Sequence, residues 1–148
     1  MQISFKDIKD KTAILVDGKN LGIIYDMFFS DEKVEGFQIQ KNVIFGICTN
    51  IFVLTKDIES INHDLLIATK LVSCINMTSF VKAQEILSNK VITKDGFLMG
   101  TVNDILFDSI NFKITGYEIS PSIWSYIRKR KIILSPEEII LKENKILS

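Results

Sequence analysis

Apolar residues in this chain fall in short runs, rich in Val, Ile, Phe and Tyr, which are separated by Gly, Asp and Asn. Runs of about four to eight such residues between turn formers predict β-strands rather than helices. Six strands are predicted in the first half, at 12–16, 22–29, 34–40, 51–54, 58–61 and 65–68. Six more are predicted in the second half, at 90–93, 100–107, 113–120, 131–134, 139–141 and 145–147. Between the two sets, residues 79–87 predict one short helix, with Ser79 as its candidate N-cap.

The second set of strands repeats landmarks of the first. Four residues recur 78 positions later, namely Asp17, Gly18, Gly22 and Asp26 as Asp95, Gly96, Gly100 and Asp104. Gly36 recurs 80 positions later as Gly116, so the second copy carries two extra residues in a turn. We therefore predict two tandem units, residues 1–72 and 73–148. Small antiparallel sheets remove their exposed edges by closing, so each unit is predicted to be a six-stranded antiparallel β-barrel, and the fold class is all-β.

The repeated glycines are typical of backbone geometry rather than of a phosphate-binding loop. Asp17-Gly18 and Asp95-Gly96 each lie between two apolar runs, where a hairpin turn needs a positive φ. Gly22 and Gly100 begin the following strands, where a missing side chain marks a bulge or a close backbone approach. A nucleotide-binding loop would be followed directly by a helix, and no helix is indicated there.

Asp26 and Asp104 are the repeated residues with the most chemical potential. By a period of two they share a strand face with apolar neighbours, so each carboxylate needs partners. The favoured interpretation is structural, with the carboxylate accepting backbone N–H bonds from an adjacent turn. The alternative is a catalytic or metal-binding carboxylate. No repeated His, Cys or Glu accompanies the pair, which favours the structural interpretation.

Charge and composition exclude several classes of protein. Eighteen Lys and Arg balance eighteen Asp and Glu, so the whole chain carries no electrostatic signature of a nucleic-acid or membrane-surface protein. Two cysteines and one histidine indicate neither a disulfide framework nor a zinc site, and both thiols are expected to be buried. The longest uncharged stretch, 42–55, is too short to cross a bilayer. These features predict a soluble, cytoplasmic protein with no transmembrane segment and no cofactor.

Two segments interrupt the strand pattern at equivalent places and form the candidate interaction surface. The first, 41–50, is largely apolar and includes Phe45 and Ile47, and the apolar loop 43–52 favours a homodimer. The second, 120–131, holds two aromatic residues and four cations: Trp124, Tyr126, Arg128, Lys129, Arg130 and Lys131. Such a group can anchor a protein partner or can stack on bases and bind phosphates. It can also simply cover the open end of a barrel while the cations remain solvated.

The doubled pattern of Asp-Gly turn, Gly, Asp and Gly-aromatic strand resembles the PRC-barrel family. In this chain the Gly-aromatic pairs are Gly36 with Phe37 and Gly116 with Tyr117. The loop at 45–47 is similar to that of small sporulation-associated members. Other relatives are the cytoplasmic part of the photosynthetic reaction-centre H subunit and the C-terminal domain of a ribosome-maturation protein. The resemblance implies a small β-barrel module without a catalytic centre that docks onto a larger assembly.

Three functions follow as expectations. The first is a non-enzymatic adaptor or scaffold that binds a protein partner, because a structural motif is doubled while no chemistry is doubled. The second is an RNA- or ribosome-associated factor that uses the basic run 128–131. The third is a small enzyme or ligand-binding protein centred on Asp26 or Asp104.

Overall fold

The computed structural model describes residues 1–43, 46–93, 95–121, 132–136, 140–142 and 145–147. The chain begins with β1 (Gln2–Ser4) and α1 (Phe5–Ile8), followed by β2 (Thr12–Leu15), β3 (Asn20–Ser30), β4 (Lys33–Val43) and β5 (Ile47–Leu54). A 3₁₀ turn (Thr55–Asp57) leads to β6 (Ile58–Ile61) and β7 (Leu65–Ala68). The second half begins with β8 (Val81–Lys82) and α2 (Ala83–Ile86), followed by β9 (Lys90–Ile92), β10 (Leu98–Asp108) and β11 (Ile114–Pro121). The last strands are β12 (Ile132–Leu134), β13 (Ile140–Lys142) and β14 (Lys145–Leu147).

Two sheets with the same strand order make up the described part of the chain. The N-terminal sheet runs β5-β4-β3-β2-β7-β6, and the C-terminal sheet runs β12-β11-β10-β9-β14-β13. The predicted all-β class is confirmed, and each predicted strand is found within a few residues of its expected position. Purely antiparallel pairing was wrong, because β7 pairs with β2, and β14 with β9, in parallel. Neither sheet closes into a barrel among the described residues, where the terminal strands of each sheet do not pair with one another.

Each half of the chain lends its first strand and helix to the sheet of the other half. Strand β1 pairs with β10 in the C-terminal sheet, and β8 pairs with β3 in the N-terminal sheet. We call these two segments, residues 2–8 and 81–86, the exchanged arms. Their registers are equivalent, since Ser4 lies opposite Leu106 and Lys82 lies opposite Phe28. The exchange is therefore reciprocal within one chain.

The chain returns to its own half directly after each arm. The Asp10 N–H donates to the Ile24 carbonyl at 2.7 Å, and the Ser88 N–H donates to the Val102 carbonyl at 2.8 Å. Asp10 and Ser88 have φ values of 70° and 71°, a left-handed conformation that turns the backbone sharply after a single helical turn. The backbone thus has the same local geometry at the end of each exchanged arm.

The helix predicted at 79–87 was too long and began too early. It is a single turn, Ala83–Ile86, with Lys82 and not Ser79 at its N-cap position. Residues 81–82 instead form strand β8, because their backbone groups pair with the edge of β3. The ring of Phe80 packs against Phe28 with centroids 5.2 Å apart, which fixes the approach to that strand.

One hydrophobic core runs through both sheets and both arms. The Phe37 and Phe107 rings, one from each half, lie with centroids 6.0 Å apart. The two halves also exchange backbone hydrogen bonds, since the Val34 N–H donates to the Phe112 carbonyl and the Ile114 N–H donates to the Glu32 carbonyl. We call the line along which the two halves meet the seam. Its apolar character agrees with the small size of each half, which could not bury a large core alone.

Separating the halves after Thr78 should give two fragments that reassemble. The arm residues Ile3, Phe5 and Ile8 are fully buried, and full burial of such a side chain is worth about 1.5–3 kcal/mol. Co-expressed fragments 1–78 and 79–148 should copurify as a one-to-one complex, measured by affinity capture and analytical ultracentrifugation. Deleting residues 1–9 or introducing Phe5→Ala should greatly weaken the complex. The matched change Asp7→Ala should not, because the exposed Asp7 side chain lies beside His63 of its own half. Fragments that never associate would contradict the exchange.

Candidate functional site

The two Asp-Gly dipeptides form the turns of equivalent hairpins. Gly18 and Gly96 have φ values of 93° and 88°, which a β-carbon would make unfavourable. The first turn is closed by the Leu15 N–H bonding to the Lys19 carbonyl at 2.9 Å. The second is closed by the Thr93 N–H bonding to the Phe97 carbonyl at 2.8 Å. Both glycines are exposed, so these positions set the path of the chain between adjacent strands.

The remaining repeated glycines allow neighbouring groups to approach the backbone. A β-carbon at Gly22 would clash with the Gln40 carbonyl, and one at Gly100 would clash with the Ser120 carbonyl. Both glycines lie beside a register shift between their strand and the preceding one. Gly36 lies under the Phe28 ring, where a β-carbon would also clash, and Gly116 occupies the equivalent place beside Leu106.

A bulge changes which face Asp26 occupies. The register between β3 and β4 shifts between Ile24 and Asp26, so the core-facing residues pass from Ile24 to Met27 and Phe29. Ile24 and Phe28 were both expected to share a strand face with Asp26. The shift separates Asp26 from Ile24, so that part was wrong, whereas no shift lies between Asp26 and Phe28. An equivalent shift between Val102 and Asp104 displaces the second carboxylate in the same way. A period-two pattern loses its parity wherever one extra residue enters a strand.

Asp26 lies at a gap on one edge of β3. Strand β2 covers the first part of that edge and β8 covers the last part, with Asp26 between them. Its Oδ1 atom accepts the Met27 N–H at 2.8 Å and the Gln84 N–H at 3.1 Å. Gln84 belongs to the first turn of α2, where backbone N–H groups have no partner within the helix. The carboxylate therefore caps an exchanged arm.

Asp104 makes the reciprocal contact with the other arm. Its Oδ1 atom accepts the Ile105 N–H at 2.8 Å and the Lys6 N–H at 3.0 Å. Its Oδ2 atom accepts a hydrogen bond from the Ser4 hydroxyl, the N-cap residue of α1. We expected an adjacent turn to supply the backbone N–H donors. They come instead from the next residue, Ile105, and from Lys6 of the distant arm.

Burial raises the pKa of the Asp26 carboxyl, and the Met27 and Gln84 N–H bonds and the nearby Lys82 charge oppose that rise. One oxygen of Asp26 and both oxygens of Asp104 are thus engaged with an arm. Among the described residues, no three His, Cys, Asp or Glu side chains are close enough together to hold a metal ion. A third buried carboxylate, Asp57, was not singled out by the sequence, and its Oδ2 atom has no hydrogen-bond partner in the described part of the chain.

Most of the predicted interaction surface lies outside the described residues, including Phe45, Trp124, Tyr126, Arg128, Lys129, Arg130 and Lys131. Ile47 is described and is 66% exposed. The segment 41–50 does not interrupt the strand pattern as predicted, because β4 extends to Val43 and β5 begins at Ile47, directly opposite it. The expectation of buried thiols was also wrong, since Cys48 and Cys74 are both exposed.

An apolar turn that sequence reasoning missed lies between β9 and β10. Phe97 is 72% exposed and its neighbour Leu98 is also exposed. We call this pair the Phe97 turn. The equivalent positions of the N-terminal sheet, 78 residues earlier, hold Lys19 and Asn20. A comparison of the two repeats would have found this difference, because the same turn forms with polar residues in one half.

Removing either cap should destabilise the fold without unfolding it. Asp26→Ala or Asp104→Ala leaves a helix N–H without its acceptor, at a cost of about 1–2 kcal/mol. Asp26→Asn keeps an oxygen at that position and should cost less. Urea unfolding monitored by tryptophan fluorescence or circular dichroism measures these differences. Equal losses for the Ala and Asn variants would show that the accepted hydrogen bonds are not what the carboxylate contributes.

The raised pKa of Asp26 predicts a direction for pH dependence. The folded state holds this proton more tightly than the unfolded state, so the contribution of Asp26 to stability is greatest below about pH 4 and falls as the pH rises through the folded-state pKa. The free energy of unfolding of the wild type minus that of Asp26→Asn should therefore decrease with rising pH. The exposed Asp64→Asn variant provides the matched control. A difference that increases with pH would contradict this assignment.

Comparison with known proteins places one family in the second half of the chain. Residues 79–147 match the PRC-barrel domain family, over a segment that contains the arm β8–α2 and the strands of the C-terminal sheet. No curated protein matches the chain. No helix in the described ranges has the length and apolar character needed to span a bilayer. The resemblance predicted from the repeated motifs is thus confirmed for this half, and a PRC-barrel domain is present at residues 79–147.

Proposed function

We propose that this protein is a non-enzymatic, cytoplasmic adaptor that docks onto a protein partner or a larger assembly. In this proposal, residues 1–72 and 73–148 are two PRC-barrel-type units in tandem, joined by the exchanged arms. The PRC-barrel domain at 79–147 supports the proposal, because this fold is often used in protein–protein interaction modules. The equal strand order of the two sheets supports the tandem arrangement.

The Phe97 turn is the observation that carries the docking role. An exposed Phe next to an exposed Leu gives the folded chain no packing energy, and the Lys19 and Asn20 of the other hairpin show that the turn does not require them. Aromatic side chains are enriched among the residues that dominate protein–protein binding energies. Exposed apolar groups that the fold does not need are typical of a surface that a partner covers.

The two alternatives have less support. An RNA- or ribosome-associated role depends on the basic run 128–131, which lies outside the described residues, and it stays a prediction. A role as an enzyme or ligand-binding protein centred on Asp26 or Asp104 must release carboxylates that already cap α2 and α1. The adaptor proposal uses both residues as they are found.

Replacing the residues of the Phe97 turn with those of the N-terminal hairpin tests the docking role. The double variant Phe97→Lys with Leu98→Asn gives the C-terminal hairpin the residues of its N-terminal counterpart, so folding should be unchanged by circular dichroism and thermal unfolding. Capture of a stoichiometric protein partner by the tagged full-length chain should fall by about tenfold or more, as expected for loss of a central aromatic contact.

The matched control is Val16→Thr, at an apolar residue of the N-terminal half that is 54% exposed. Capture should be unchanged in this variant. Capture that survives the double variant at wild-type level would remove the Phe97 turn from the proposal. Recovery of RNA in place of protein, with affinity that falls steeply with salt, would favour the RNA alternative.

A further inference from the structure

We propose that the cleft where the two sheets meet binds an acidic, extended segment of a protein partner that also carries an apolar side chain. The inference rests on the proposed function for the existence of a protein partner, but it concerns a different surface from the Phe97 turn. The cleft has a volume of about 550 Å³ and lies between the 55–58 segment of the N-terminal half and the 110–113 turn of the C-terminal half. We call it the seam cleft.

Every charged side chain that lines the seam cleft is a lysine. Lys33, Lys56 and Lys113 come from three separate segments, and none of them lies within 4.0 Å of a carboxylate oxygen in the ion pairs of the described residues. Of the neighbouring acids, Glu32 acts on Tyr117: burial of the phenol raises the pKa of Tyr117 to about 12, and the Glu32 charge adds to the rise. The Asp57 side chain is buried.

The backbone forces two of these lysines to face each other. Lys33 and Lys113 are opposite partners in an isolated antiparallel bridge across the seam. The Val34 N–H to Phe112 carbonyl bond, at 2.8 Å, and the Ile114 N–H to Glu32 carbonyl bond, at 2.7 Å, hold the bridge on its two sides. Like charges directly opposite one another destabilise a strand pair. An anion bound between the two ammonium groups would remove that repulsion.

Beside the lysines, the cleft is lined by two uncharged polar residues, Thr55 and Asn111, and by three apolar residues. Ile58 and Phe112 line it, and Ile110, at its rim, is 82% exposed. Ile110 lies in the turn that is two residues longer than its counterpart in the N-terminal half. A second hollow of about 290 Å³ shares these three residues, so the groove continues beyond the lysines.

An extended acidic peptide uses both parts of this surface. Its carboxylates would contact the lysines, and an apolar side chain would cover Ile110. A free inorganic anion would leave the apolar part unused. Single-stranded RNA is held largely by stacking on exposed aromatic rings, and the one aromatic ring described in the cleft, Phe112, is buried. Glu59 lines the second hollow only, away from the lysines, and so disfavours an acidic residue at that end.

A nuclear magnetic resonance titration of the isotope-labelled chain, residues 1–148, tests the proposal. The probe is a short peptide of alternating glutamate and leucine, and the comparison peptide has lysine in place of glutamate. The glutamate peptide should shift the amide signals of Lys33, Lys56, Ile110 and Lys113, and the lysine peptide should not. The Lys33→Gln with Lys113→Gln variant should bind the glutamate peptide at least severalfold more weakly.

A stability measurement on the unbound protein provides a second readout. Lys113→Gln should raise the melting temperature, because it removes the repulsion with Lys33, and the difference should shrink at high salt. Lys19→Gln, which removes one charge from an exposed turn, is the matched control and should leave the melting temperature unchanged. A lower melting temperature for Lys113→Gln would overturn the assignment of unrelieved repulsion.

The outcomes separate this inference from the proposed function. No shifts at these amides with millimolar glutamate peptide, or equal shifts with the lysine peptide, would overturn the inference. Larger shifts with an RNA oligonucleotide than with the peptide would also overturn it, in favour of a phosphate ligand. Partner capture that depends on the Phe97 turn, together with a flat titration, would defeat only the seam cleft. Specific peptide shifts, together with partner capture that is unchanged by the Phe97 turn variant, would support the seam cleft and remove only the Phe97 turn.

Discussion

Asp26 and Asp104 each accept an N–H bond from the first turn of a helix that belongs to the opposite half of the chain. A buried carboxylate requires hydrogen-bond donors, and the first turn of a helix has donors without acceptors. Among the described residues, each pairing lies at a gap on the edge of a long strand, between the strands that cover the rest of that edge. With the pairing of β1 and β8, it fixes the position of both arms against the shared core.

Because of the exchange, a segment that is continuous in sequence does not form a separate unit in space. The PRC-barrel match covers one continuous segment, residues 79–147, yet its first strand and helix lie on the N-terminal sheet. The sheet that carries the rest of that segment receives β1 and α1 in return. Each half is therefore continuous in sequence but incomplete in space. Two small sheets that could bury little alone reach one common core in this way.

Equivalent positions of the two halves show which residues the shared fold requires. The Asp-Gly turns, the glycines at the register shifts and the aspartates that cap the arms recur in both halves, and their conformational role explains them. The Phe97 turn and the longer turn with Ile110 differ between the halves. The fold forms without apolar residues at the first place and without the insertion at the second, so neither difference is required by the shared strand order. The seam cleft is lined by residues of both halves, so neither half forms it alone.

The sequence by itself determined the elements that depend on local chemistry. Asp-Gly pairs require a left-handed residue, and alternating β-branched and aromatic residues favour strands, so the hairpins, the all-β class and the doubled order of strands could be predicted. Tertiary structure alone decided the rest. The bulge before Asp26 reversed the expected face, because one inserted residue shifts the parity of every later position. The arms and the meeting of Lys33, Lys56 and Lys113 depend on contacts between residues far apart in the chain, and no local pattern records which distant strand edge a short segment will pair with.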